Sequence, residues 1–267
     1  MEKQLVMQNA AVVYLVVDIF VDASLGYRLT VLFAGSAIAV LPPYIVACKK
    51  NEPKFNECIF NTIEGLREKL IPGIPELEVP PLEPFELKNI RLLRGPVGAR
   101  LDVNLTNIEV KGPSSFKVHN LKSNLKDNTF TFKLTFDELS FKGKYQMDAT
   151  VLLLRLSGKG DISGNFTGYS SDVILRGEKV LREGVEYLNF ERMKLNIKIG
   201  VAKVHLTDLF GGDPVLGTAT NEVLNANSAL FLEEIKPVLE SSLADLFTEI
   251  ANKITRSFTY KELFPDK

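Results

Sequence analysis

Hydrophobic and polar residues alternate along this chain with two different periods, and the change of period divides it. From about Leu87 to Leu209 the period is two. Leu101, Val103 and Leu105 alternate with Asp102 and Asn104, and Phe130, Phe132, Leu134 and Phe136 alternate with Thr129, Thr131, Lys133 and Thr135. Met193, Leu195, Ile197, Ile199 and Val201 alternate with Lys194, Asn196 and Lys198. One apolar and one wet face per segment marks antiparallel strands solvated on their outer side. From Asn221 to Phe258 the period lengthens to that of a helix. Phe231, Ile235, Val238, Leu246, Ile250 and Ile254 form one stripe, and Leu232, Leu239, Leu243, Phe247 and Ala251 an adjoining one. Only a narrow acidic ridge is left (Glu233, Glu234, Glu240, Asp245, Glu249). The spacing predicts a single helix roughly 55 Å long at about 1.5 Å per residue, bent at Pro237, which removes the bond to the Glu233 carbonyl. A helix apolar over so much of its circumference has to be wrapped.

The strand expected at Leu152 to Gly168 tells most about the wrapping. Its even positions read Leu152, Leu154, Leu156, Gly158, Gly160, Ile162, Gly164, Phe166 and Gly168. Glycines spaced by two on an inner face permit sharp curvature and close approach of another backbone, and they leave volume unfilled. Bulges or a hairpin turn at Gly158 and Gly160 are the alternative. Upstream, Asn56 is placed to cap a short helix carrying Ile59, Ile63, Leu66 and Leu70, which Ile71-Pro72-Gly73 stops. The proline-rich stretch from Pro72 to Pro84 suits neither helix nor central strand. It reads as an extended strap with Ile74, Leu77, Val79 and Leu82 turned inwards, or as a linker. The expected fold class is α+β, a long C-terminal helix wrapped in a strongly curved antiparallel sheet.

The N-terminal 39 residues change the picture of location. Leu29 to Ala39 is an apolar run preceded by Arg28 and closed by Ala37-Ile38-Ala39, the form of a secretory signal with a small-x-small cleavage site. This divides the chain into a leader, residues 1–39, and one domain, residues 40–267. A second apolar run, Ala10 to Val17, leaves a signal anchor or an over-long gene start as other readings, although neither run has the ~20 residues of a membrane span. Without the leader the chain carries 30 basic and 30 acidic residues, so its charge gives no reason to seek nucleic acid or anionic lipid. In an exported chain the two cysteines, Cys48 and Cys58, most simply form one disulfide, with two free buried thiols as the alternative. Asn104-Leu105-Thr106 and Asn165-Phe166-Thr167 are glycosylation sequons whose asparagines fall on the outer face.

Reactive constellations are missing. There is no G-x-S-x-G elbow, H-E-x-x-H or P-loop, and the Gly158 region lacks the third glycine and following helix of a dinucleotide site. His119 and His205 read as strand residues, and two histidines with two cysteines do not make a zinc site. The chain is therefore read as neither an enzyme nor a metalloprotein, with no cofactor. Its excess of inward apolar side chains, with seventeen phenylalanines, points to a pocket beside the helix.

Several segments in their order resemble the insect takeout and haemolymph juvenile hormone-binding protein family over residues 41–265. They are Cys48 and Cys58 around Lys49-Lys50-Asn51, the strap Pro72-Gly73-Ile74-Pro75-Glu76-Leu77 with Pro80-Pro81-Leu82, and Gly143-Lys144-Tyr145 leading to Gly158-Lys159-Gly160. Further on come Leu209-Phe210-Gly211-Gly212-Asp213, Leu216-Gly217, Asn221, Asn225, Asn227 and the closing Leu263-Phe264-Pro265. The resemblance implies the super-roll of tubular lipid-binding proteins and a monomeric, secreted carrier of a terpenoid or fatty acid, without stable membrane insertion. It also implies a Cys48–Cys58 disulfide and, for some members, links to circadian output. Ser228 departs from the aromatic residue common in the family after the paired asparagines. Strand and helix parity, rather than the resemblance, assigns the tunnel wall to Phe130, Phe132, Phe136, Leu154, Leu156, Ile162, Phe166, Ile197, Phe231, Ile235, Leu246 and Ile250. Tyr145 and Tyr169 are candidates to meet a ligand's polar end. The competing reading is an extracellular signalling or interaction protein with a filled interior and a protein partner.

Overall fold

Among the described residues the period-two stretch folds into eight antiparallel strands. They are β1 (Phe85–Arg94), β2 (Leu101–Lys111), β3 (Lys117–Asn124), β4 (Thr129–Val151), β5 (Leu154–Arg182), β6 (Val185–Phe190), β7 (Lys194–Lys198) and β8 (Val201–Leu206). A computed structural model describes residues 41–95, 101–151 and 154–266. The leader with its cleavage site, together with Leu152 and Leu153, lies outside the described residues, as does the side chain of Leu154. Strands β4 and β5, 23 and 29 residues long, pair from Thr129↔Arg176 to Val151↔Leu154. β2 and β3 share the far side of β4, and β8, β7 and β6 follow one another along the far side of β5.

Strands this long stay wrapped around one interior only if the sheet folds across them, and the inward parity shows where it does. On β4 the inward residues are Phe132, Leu134 and Phe136, then Leu139 and Phe141; on β5 they are Phe166 and then Tyr169, Ser171 and Val173. Both strands invert at the same place, beside Gly168, whose φ of 64° is left-handed. β7 and β8 continue one register along β5, from Ser170↔Lys198 to Thr167↔Val201, and invert across Gly200, which packs against Gly168. Val201, expected inward, is therefore 53% exposed, and Ala202 is buried instead. A second inversion crosses β1 and β2 at Asn107, φ 51°, where β2 bulges against Gly143. Left-handed residues and bulges bend strands.

Glycines on the inner face of β5 serve close approach and not empty space. A Cβ on Gly158 would lie 2.8 Å from the Tyr145 hydroxyl and 3.0 Å from the Asp208 carbonyl, and one on Gly164 would meet the Lys203 carbonyl at 2.3 Å. The volume expected there is filled by the chain at Lys203 and Thr207–Leu209.

The C-terminal helix is two helices. α3 (Pro214–Ala226) starts at Asp213, whose side chain accepts from the Val215 and Leu216 amides, with Pro214 in the first turn. α4 (Ser228–Arg256) follows after Asn227 and runs unbroken through Pro237. The single helix expected over this stretch is thus divided at Asn227, with φ −114° and ψ 28°. Glu233, whose carbonyl loses its partner to Pro237, is exposed to water.

Side chains of α3 and α4 hydrogen-bond the open edges of β8, β7 and β6. Asn221 exchanges two 2.9 Å bonds with the Leu206 amide and carbonyl, and Asn225 two 2.8 Å bonds with those of Val204. Asn252 does the same with Phe190 at 2.7 and 2.9 Å. Thr248 accepts from the Met193 amide at 2.8 Å and Glu240 from the Ile197 amide at 2.6 Å, while Arg192 reaches Asp245 and Ser241. Glu240, read from sequence as part of a wet ridge, is a tether between α4 and β7. Each asparagine reproduces the paired bonds of a neighbouring strand residue, so at these positions the edge is satisfied without a further strand.

The N-terminal segment covers one end. The Cys48–Cys58 disulfide ties the segment ahead of α1 (Phe55–Gly65) to that helix, α2 (Arg67–Leu70) follows, and Asn56 accepts from the Ser123 amide and hydroxyl instead of capping α1. The strap is a tight turn, with Ile74 and Val79 bridged around a short 3-10 segment, and not an extended run. Its Ile74, Leu77 and Val79 pack on Phe258, ahead of α5 (Tyr260–Leu263), whose Thr259 and Glu262 form a capping box.

Replacing Asn252, 5% exposed, by alanine leaves the Phe190 amide and carbonyl without partners and is expected to lower the unfolding free energy by about 1–3 kcal/mol. Asn225→Ala, at an exposed position, should cost less because water replaces the side chain. Urea denaturation of the two variants measures the difference.

Candidate functional site

Apolar side chains from the sheet and from α4 face each other, and a cavity of about 480 Å³ lies between them. Its wall on α4 is Phe231, Leu232, Ile235, Leu239, Leu243 and Phe247, about 24 Å of helix at 1.5 Å per residue. The space is thus a slot along the helix. One end is closed by Ile63 of α1, Leu82 of the strap, Pro113, Phe116 and Phe85, whose ring lies 6.0 Å from Phe247. At the other end stand Leu224 of α3, Leu206, Leu101 and Leu92. The helix is turned this way because its tethers, Ser241, Asp245, Thr248 and Asn252, occupy one side at spacings of three and four and hold that side against β6 and the segment after it.

Phe132, Phe136, Leu156, Ile162, Phe166, Phe231 and Ile235, expected on the wall, are brought together there. Four others are elsewhere. Phe130 packs edge-on against Phe190 and stacks on Phe264, in a cluster around the C-terminus. Ile197 is fully buried, but off the wall. Leu246 and Ile250 are half-buried off the wall, which follows the stripe of Leu232, Leu239, Leu243 and Phe247. Sequence reasoning missed the contributions of β1 and β2, and on β4 it missed Leu139, Phe141 and Met147, although Phe141, Tyr145 and Met147 alternate with Lys142, Lys144 and Gln146.

Among the described residues no charged side chain stands on the wall, and polar atoms are few. The Tyr145 hydroxyl donates to the Thr207 carbonyl at 2.6 Å and is thereby occupied. Burial, and then the nearby Asp208, push its pKa up to about 12. Tyr169 and Ser171 form the other polar spot. Ser171 is 2% exposed. Burial raises the Tyr169 pKa to about 12, the neighbouring Ser171 hydroxyl works the other way, and Glu240 adds to the rise. The Tyr169 ring meets Phe136 edge-on at 5.2 Å.

The outer face is polar. Asn104 lies opposite Gln146 and Arg91, and the Asn165 amide donates to Glu138 at 2.8 Å. His119 and His205 are strand residues, with His119 hydrogen-bonded to Thr135. Among the described residues no helix is long and apolar enough to cross a membrane, and no group of side chains is arranged to hold a metal ion.

A family model described as haemolymph juvenile hormone binding protein matches residues 28–265. The circadian clock-controlled protein daywake of Drosophila melanogaster is 27% identical over 231 residues, 84% of this chain and 88% of that protein. A putative beta-carotene-binding protein of Schistocerca gregaria is 21% identical over 224 residues, 81% of this chain and 86% of its own. The crystal structure of Epiphyas postvittana Takeout 1 superposes with a TM-score of 0.68 at 20% identity, covering 82% of this chain and 99% of that one, and has the same fold.

A tyrosine held neutral to about 12, against an ordinary value near 10, favours the folded state fully below pH 10. That contribution is lost as pH rises towards 12, where only the unfolded chain has already ionised. Stability is expected to fall between pH 10 and 12, and Tyr169→Phe to make the fall shallower, as followed by urea unfolding at pH 9 and 11.5.

Proposed function

The chain belongs to the haemolymph juvenile hormone binding protein family, and from that premise we propose that it is a secreted carrier holding one small hydrophobic ligand, a terpenoid or a fatty acyl chain, in the slot beside α4. The observation that carries this reading is the unfilled, apolar-walled cavity of about 480 Å³. Pockets for small molecules fall at about 300–1,000 Å³ and combine apolar walls with a few polar groups. An extended ligand burying about 400 Å² of apolar surface gains on the order of 10 kcal/mol at about 25 cal/mol per Å². Association offsets several kcal/mol of that, which leaves binding in the micromolar range or tighter.

A carotenoid-binding relative agrees with this reading, since its name states a long apolar ligand. The signal-like leader supports export, and the disulfide suits an oxidising compartment. The outward asparagines Asn104 and Asn165 are proposed glycosylation sites. A carrier of this kind acts by binding alone and requires neither catalytic group nor cofactor. The competing reading, an interaction protein with a filled interior, requires only isolated packing defects, and the slot speaks against it.

Native mass spectrometry of gently purified protein is expected to show a retained lipid, or uptake of an added terpenoid or fatty acyl ester at one per chain. Leu243→Trp places an indole in the middle of the slot and should weaken uptake at least tenfold with an unchanged circular dichroism spectrum. Uptake by neither protein across a broad lipid panel would sink the reading. Expressed in a secreting eukaryotic cell, the chain should lose mass on glycosidase treatment, and less after Asn165→Gln.

A further inference from the structure

We propose that the outer face of the sheet carries a seat for the first sugar of an N-linked glycan. The seat is a groove of about 390 Å³ around Asn104, in which Asn89, Arg91 and Gln146 hydrogen-bond that sugar. The inference rests on the reading of Asn104 as a glycosylation site and is independent of what the slot holds.

Strand register dictates the surroundings of anything attached to Asn104. Arg91 of β1 and Gln146 of β4 lie directly opposite it on its two sides. Residues so opposed have Cβ atoms about 4.5–5.5 Å apart, and a sugar on the Asn104 amide therefore emerges between those two side chains. Asn104 and Asp102 are half-buried, whereas Asn89, Arg91, Gln146 and Asp148 are exposed, so the first two make the floor and the other four the rim. The volume lies within the ~300–1,000 Å³ of small-molecule sites.

The rim is polar and largely unengaged. Among the described residues the side-chain amides of Asn89, Asn104 and Gln146 make no hydrogen bond, although elsewhere on this face Lys142 is paired with Glu109 and Lys144 with Asp161. Each amide of Asn89 and Gln146 brings two donors and an acceptor, the complement of a sugar's hydroxyls and acetamide. Arg91 is fixed instead. Its Nε and one Nη donate to the two Asp102 carboxylate oxygens at 3.1 Å, which leaves three N–H groups of a pinned, planar fork for acceptors on the sugar. Asn165, the other sequon asparagine, lies outside the groove. Its amide donates to Glu138 at 2.8 Å, and its cross-strand neighbours are Ser140 and Lys203.

The experiment uses the chain secreted from a eukaryotic cell, with glycopeptides measured by mass spectrometry and peptide N-glycosidase applied before and after denaturation. In the folded protein the Asn104 glycan is expected to be released at least tenfold more slowly than the Asn165 glycan, and after denaturation at the same rate. With both glycans trimmed to one N-acetylglucosamine, the thermal midpoint should stand about 2–4 °C above that of Asn104→Gln, the shift of roughly one hydrogen bond in a chain of this size. In a background of Asn89→Ala and Gln146→Ala the same comparison should show no difference, an outcome that steric shielding alone does not produce. Equal release from the two sites in the folded protein, or a midpoint difference that survives in that background, would overturn the seat and leave Asn104 a glycosylation site. An Asn104 found without a glycan would bring down both.

Discussion

The free edge of the sheet is the constraint on which this molecule depends. β8, β7 and β6 each present backbone amides and carbonyls on the side away from β5, and buried groups of this kind need partners. The chain does not add a strand. It lays two helices along the edge and lets Asn221, Asn225, Glu240, Thr248 and Asn252 make the bonds. An asparagine amide carries a donor and an acceptor at the separation a peptide offers, so one side chain answers one strand residue. Held by polar bonds along one side, α4 is fixed in rotation and in distance from the wall. Its apolar side is then presented to the interior, where Phe231 and Ile235 pack on the sheet and leave the slot beside them.

Fixing the helix at the edge makes an opening inevitable only if the opposite wall stands off, and the creases see to that. A strand that inverts its inward parity at one left-handed residue can keep its apolar side chains facing a common interior after the sheet has turned. Gly168 and Gly200 meet where three strands invert together, and Asn107 and Gly143 meet at the second fold line. Without the inversion the residues beyond the crease would send Tyr169 and Val173 outwards. With it, residues on both sides of the fold look at the same stretch of α4, and the enclosed space is long and narrow.

Much of this was legible beforehand, and the failures have a common cause. Alternation identified the strands, and the two apolar stripes identified a helix to be wrapped, because both periods are direct consequences of backbone geometry. Parity could not be carried across Gly168 or Gly200, since nothing in the residue types says whether a glycine in a strand is flat or left-handed. That is why Val201 was placed inside. The polar stripe of Ser241, Asp245, Thr248 and Asn252 has helical spacing and could have been read as a docking face, but polar residues on a helix default to solvent. Recognising them as tethers requires knowing that an unpaired strand edge lies opposite. Phe130 was misplaced for a related reason: it alternates correctly, but it sits beyond the end of the slot, where Phe264 and Phe190 take it up.

What such a slot can distinguish follows from how it is closed. Apolar walls attract any hydrocarbon in proportion to the area covered, so the middle of the slot, where Leu239 and Leu243 face the sheet, contributes affinity and little discrimination. Phe85 and Phe247 meet at one end, and Leu224 and Phe231 stand at the other. Ser171 and Tyr169 interrupt an otherwise apolar stretch of the wall, as Tyr145 does elsewhere. Those two hydroxyls lie just past the Gly168 crease, and they face inwards only because the parity inverts there. The same left-handed glycine that bends the sheet around the helix therefore also decides that these two hydroxyls face the slot and not the solvent.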